Sequence, residues 1–136
     1  MKTIKDLVSI VKMEEILSCI KGELHPLTPS SSARILRTLS RKNAFYFFTS
    51  VGNYTGQSAM SLEEFANKIR EVETTSLEFH LYRGDFEKWT AEVLEDSELT
   101  EKISDLKNLE PVRSALRDQL YLIVSKRLEE LKTLNS

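Results

Sequence analysis

A single cysteine, Cys19, stands among 136 residues, so the chain has no internal disulfide to staple it. Its place in an apolar helical pattern marks a buried thiol rather than a nucleophile. That usage suits a reducing compartment, and the chain reads as cytoplasmic. Long hydrophobic runs are missing as well. The longest purely apolar stretches are a handful of residues, against the roughly 20 that a membrane span requires, and the opening Met1-Lys2-Thr3-Ile4-Lys5-Asp6 lacks the apolar stretch of a signal peptide. Histidine is scarce: only His25 and His80, with no paired Cys or His motif, so neither zinc nor any other metal or cofactor is expected. Charge of one sign is not in excess. Nineteen basic against 21 acidic residues leave a net charge of −2, which argues against a whole-molecule polyanion binder and requires any basic patch to be local. No serine sits in a Gly-x-Ser-x-Gly elbow, and the balance of these absences is against an enzyme.

What remains is an ordinary soluble composition, 40% hydrophobic and 29% charged, on a chain long enough to fold as one domain spanning residues 1–136. The dominant period is helical. Ile4, Leu7, Val8, Val11, Ile16, Leu17 and Ile20 recur at three- and four-residue steps, predicting a first helix between Thr3 and Gly22. Pro26, Pro29 and Ser30-Ser31-Ser32 break the pattern and cap a second helix, with Ile35, Leu36 and Leu39 on one side. Phe45 to Val51 suits a short extended segment, although no partner strand is evident. Ser61 and Glu64 have the spacing of a capping box and start a helix whose stripe is Leu62, Phe65, Ala66, Ile69 and Val72. A short helix over 77–82 ends at Gly84, Asp85 caps the next, and Asp96 or Ser97 caps the one after that. Pro111 opens a long last helix in which Leu120-Tyr121-Leu122-Ile123-Val124 is apolar all round, so it needs neighbours on two sides. The expectation is an all-α compact bundle of about six helices, with one short extended segment allowed near 45–51.

Three groups of residues carry chemistry. Glu78, His80, Arg83, Asp85 and Trp89 fall within twelve residues and form a candidate polar pocket, with His80 as proton carrier or ligand and Arg83 as an anion clamp. The plainer alternative pairs Arg83 with Asp85 around the turn and uses His80 and Trp89 for packing; buried histidines and aromatics at helical spacing favour it. Gly52, Asn53, Thr55 and Gly56 have the composition of an anion-binding loop before a helix, without the lysine of a phosphate loop. Arg34, Arg37, Arg41 and Lys42 share one helical side as a candidate basic face for phosphates, set against an acidic second half of the chain.

The elements Tyr54-Thr55-Gly56, Ser61-Leu62-Glu63-Glu64-Phe65, Phe79-His80-Leu81 and Arg83-Gly84-Asp85-Phe86-Glu87-Lys88-Trp89, with Leu99 and Ile103 beyond, resemble a mainly archaeal and thermophilic family of small uncharacterised proteins. The resemblance runs over about residues 45–107 and rests on the combined Phe-His-Leu-x-Arg-Gly-Asp-Phe-x-x-Trp pattern. It implies a fold and no activity, and it assigns no catalytic residue. On these grounds the chain is expected to be a non-catalytic protein-interaction or accessory module that self-associates or binds a protein partner, away from membranes. Nucleic-acid binding through the Arg34–Lys42 face is the alternative. A small enzyme or ligand binder centred on His80, Arg83 and Asp85 is the second.

Overall fold

Helical periodicity accounts for most of what forms. The computed structural model describes residues 29–135, and within them the order is α1 (Pro29–Leu36), β1 (Phe45–Ser50), β2 (Asn53–Ala59), α2 (Leu62–Glu71), α3 (Thr74–Arg83), α4 (Asp85–Glu92), α5 (Ser97–Leu109) and α6 (Arg113–Asn135). The helix predicted through Ile4 to Ile20, with Cys19, lies outside the described residues, as does His25.

The all-α expectation is corrected by a two-stranded antiparallel sheet. The extended segment at 45–50 does have a partner, built from the residues read as a loop. Phe45 pairs with Ala59, Tyr46 with Ser58, Phe48 with Tyr54 and Ser50 with Asn53. Only Val51 and Gly52 connect the strands, and Gly52 takes φ 84°, a turn conformation that a side chain would strain. Between the Tyr46 and Phe48 pairs the register shifts, and Gly56 at φ 86° sits in that bulge. The Thr55 hydroxyl holds the bulge by donating to the Phe47 carbonyl at 2.8 Å and accepting from the Gln57 N–H at 3.0 Å.

The helix starts follow their caps. Ser61 accepts from the Glu64 N–H at 3.1 Å, while the Glu64 carboxylate reaches past Ser61 to the Met60 N–H at 2.8 Å. Losing such a cap costs about 1 kcal/mol. Gly84, at φ 84°, ends α3 and precedes α4. Asp85 does not cap α4 with its side chain, which is engaged elsewhere; Asp96 does cap α5, accepting from the Leu99 N–H at 3.2 Å. The last helix begins two residues after Pro111, at Arg113.

Helix α6 is the central strut. Leu116, Leu120, Val124, Arg127 and Leu131 recur at three- and four-residue steps and are buried, and α1, α2, α3 and α5 all pack on the helix. The neighbours demanded by its all-round apolar stretch are thus largely supplied within the chain, although Leu122 stays exposed. The hairpin lies against α3 through β1 and against α2 through β2. There Phe45 and Phe47 turn inward onto Phe65, Phe86 and Trp89, with ring centroids 4.8–5.8 Å apart along Phe45–Phe47, Phe45–Phe86, Phe65–Trp89 and Phe47–Phe65. Each such ring removed from water stabilises the fold by about 1.5–3 kcal/mol.

Candidate functional site

The α3–Gly84–α4 corner lies beside β1. His80, one turn before the corner, is buried with 3% of its side chain exposed. Its ring meets Phe45 at 4.8 Å and Phe79 at 5.0 Å between centroids. Both nitrogens are engaged. The Phe48 backbone N–H donates to Nε2 at 2.8 Å, and Nδ1 lies 2.7 Å from Asp85 Oδ2. A backbone N–H can only donate, so Nε2 is the acceptor and the proton resides on Nδ1, directed at Asp85. Burial pushes the His80 pKa below its ordinary value, and the Asp85 carboxylate only partly offsets that. The ring is therefore neutral at neutral pH. To accept a proton at Nε2 it would have to release β1.

Asp85 also receives Arg83 Nε, at 3.0 Å to Oδ2 and 3.3 Å to Oδ1, so the pairing around the turn is present. The Arg83 guanidinium lies over the Phe79 ring at 4.6 Å. Trp89 packs in the aromatic core and donates from its indole nitrogen to the Asn43 carbonyl at 2.9 Å. Glu78 is not brought to this group. It sits two residues from His80, hence on another side of α3, and pairs with Arg113 of α6.

A cleft of about 320 Å³ opens along this corner. Phe45, Tyr46, Phe48 and Val93 line it together with His80, Arg83, Asp85, Lys88, Trp89 and Glu92. Sequence reasoning did not single out Lys88 and Glu92, although their spacing from Asp85 and Trp89 along α4 was the available signal. A larger hollow of about 650 Å³ between α4 and α5 is lined by Glu87, Glu95, Glu101 and Asp105 among others. No group of three or more His, Cys, Asp or Glu among the described residues could hold a metal ion. No described helix is long and apolar enough to cross a membrane.

The other candidate groups are placed differently. Asn53 bonds to the Ser50 hydroxyl, and Thr55 is engaged with Phe47, so with Gly52 and Gly56 they serve the hairpin rather than a loop before a helix. The basic face is divided because α1 stops at Leu36. Arg34 pairs with Glu95 at 2.7 Å, Arg37 donates to the carbonyls of Arg34 and Val93, and Arg41 and Lys42 lie in the turn before β1.

A second charged group was missed altogether. Arg127, on the buried stripe of α6, donates from Nε to Asp96 Oδ2 at 2.8 Å and from Nη2 to Oδ1 at 2.9 Å, with Glu130 at 3.1 Å. Burial works against the Arg127 charge, but these carboxylates outweigh it and hold its pKa above the ordinary value. An arginine at an apolar stripe position was the sequence signal for a buried acidic partner.

Searches of the curated proteins and of the solved structures return no match to this chain. A family match does exist and covers residues 40–136, beginning just before β1 and taking in the hairpin, α2 to α6 and the whole lining of the cleft. On that match the chain belongs to the family of unknown function DUF5752.

Proposed function

We propose that this protein is a non-catalytic, cytoplasmic interaction or accessory module that docks a protein partner on the outer face of its hairpin. One observation carries the reading: two exposed rings, Tyr46 and Tyr54, stand together on the hairpin, whereas the third exposed tyrosine among the described residues, Tyr82, lies apart on α3. Alternation along β1 turns Phe45 and Phe47 inward and leaves Tyr46 outward. Tyr46 is 37% exposed, Tyr54 49% and Val51, at the hairpin tip, 80%. Tyr54 lies 5.9 Å from the Tyr46 ring and 5.4 Å from that of Phe48. Rigid aromatics on a flat exposed face are the residue types that dominate protein interfaces. The engagement of both His80 nitrogens supports a non-catalytic role, because the corner then has no imidazole available to a substrate.

The test is affinity capture of the tagged chain from lysate of its native host, with and without nuclease, beside a Tyr46→Ser/Tyr54→Ser variant. A stoichiometric, nuclease-resistant protein held by the wild type and lost from the variant is the expected result. Retained material that vanishes with nuclease would replace this reading with nucleic-acid binding. Sedimentation equilibrium of the purified chain checks self-association, expected as a mass that rises with concentration and falls in the variant. A Tm above the 45–65 °C or so of mesophilic domains would accord with the thermophilic origin that the sequence resemblance implies.

A further inference from the structure

The cleft beside β1 presents polar groups that have no partner among the described residues. Asp85, Lys88, Trp89 and Glu92 stand at three- and four-residue steps on α4 and line it together. Asp85 is bonded to His80 and Arg83, chiefly through Oδ2, with Oδ1 at 3.3 Å from Arg83 Nε. Arg83 is not. It uses Nε alone, while its position is fixed by Asp85 on one side and the Phe79 ring beneath, and its terminal nitrogens have no partner among the described residues. Lys88 and Glu92, one turn apart, form no ion pair with each other or with any other described residue. Beneath these groups the lining is apolar, chiefly Phe48, Trp89 and Val93.

Besides Asp85, which is already bonded to His80 and Arg83, two cations and one carboxylate at the rim of an apolar cleft narrow the occupant by elimination. A simple anion would meet Glu92. A simple cation would meet Arg83 and Lys88. A neutral apolar molecule would strip water from all three and return nothing. We propose that the cleft binds a free α-amino acid with an apolar side chain, its carboxylate on Arg83 and Lys88, its ammonium on Glu92 and its side chain against Phe48 and Trp89. The volume of about 320 Å³ is at the lower end of small-molecule sites, in keeping with so small a ligand. Arg83 provides the planar fork that matches a carboxylate, and charge-assisted bonds of this kind are about twice as strong as neutral ones. The cleft shares Tyr46 with the outer hairpin face, but the binding proposed here does not require a protein to dock there.

Trp89 is the only tryptophan, so its indole N–H gives one unambiguous cross-peak in an isotopically labelled sample of the full chain. Titration with L-phenylalanine, and in parallel with L-leucine, is expected to move that peak saturably. 3-Phenylpropionate, which lacks the ammonium, and phenethylamine, which lacks the carboxylate, should each bind about tenfold more weakly. Lys88→Ala and Glu92→Gln are surface changes that leave the fold intact, and each should weaken L-phenylalanine by about tenfold. Glu92→Gln should leave 3-phenylpropionate unaffected or improved. A Trp89 peak that stays still for both amino acids up to about 20 mM overturns the proposal. So does 3-phenylpropionate binding as tightly as L-phenylalanine, since Glu92 would then have no role.

Discussion

The corner of His80, Arg83 and Asp85 and the junction of Asp96 with Arg127 are both built from an arginine, a carboxylate and a helix end, yet they do opposite things with the same chemistry. At the junction the arginine grips both carboxylate oxygens, and both side chains are almost wholly buried, 3% and 1% exposed. Only Glu98 and Glu130, which meet the remaining Arg127 nitrogen, reach the solvent. At the corner the carboxylate is divided between an imidazole and one guanidinium nitrogen, and Arg83 remains half-exposed at the mouth of a cleft. The contrast separates a charge pair that fastens elements from one that aims a cation outward. Burial alone does not distinguish them, since His80 is as buried as Arg127; the number of donors left over does.

The comparison is broken most severely at the junction. Arg127→Met leaves Asp96 buried without its cation and is expected to cost about 3–5 kcal/mol in denaturant unfolding. The double change Arg127→Met/Asp96→Asn should recover part of that loss, because no isolated charge remains. At the corner, His80→Ala removes a packed ring, orphans the Phe48 N–H and is expected to cost about 2–4 kcal/mol by the same measurement. The pH dependence of that site has a definite sign. The folded-state pKa of His80 lies below its unfolded value near 6.5, so the unfolded chain takes up the proton first as pH falls. Stability from the neutral ring is complete above that pH and declines below it until the folded-state pKa is reached, by at most about 1.4 kcal/mol per pH unit. Unfolding curves between pH 7.5 and about 5 should show this slope in the wild type and less of it in His80→Gln. The smallest effect sharpens the contrast: Lys88→Ala and Glu92→Gln, which remove unengaged groups, should move unfolding by no more than about 0.5 kcal/mol.

Local signals made much of this fold readable. Ser61 with Glu64, Gly84 and Asp96 are each determined by neighbours within a turn or two, and each marks an element end where it was expected. The second strand was not readable. Asn53 to Ala59 has the glycines and polar residues of a loop, its turn lacks an Asn-Gly pair, and its extended state depends on pairing with β1 and packing on α2. The helical side from Arg34 to Lys42 failed for a related reason: Leu39 is buried off the helix, tied through its N–H to the Met60 carbonyl at 2.6 Å. Of the candidate site, His80, Arg83, Asp85 and Trp89 were legible because one tight turn brings them together. Glu78 was not separable from them by proximity in sequence, although a two-residue step along a helix points away. Asp96 and Arg127 lie 31 positions apart on different helices, beyond any local pattern.

The bond from Phe48 to His80 has a meaning for solubility. Exposed strand edges invite other chains to add themselves by main-chain pairing, the route to strand exchange and fibrils. Here an imidazole occupies the donor in the middle of β1 on the side away from β2, as a stopper fitted into a zip. A visiting peptide finds no continuous ladder to extend along that margin. The block applies to the β1 edge alone, where strand addition would first have to displace His80 from the Phe48 N–H.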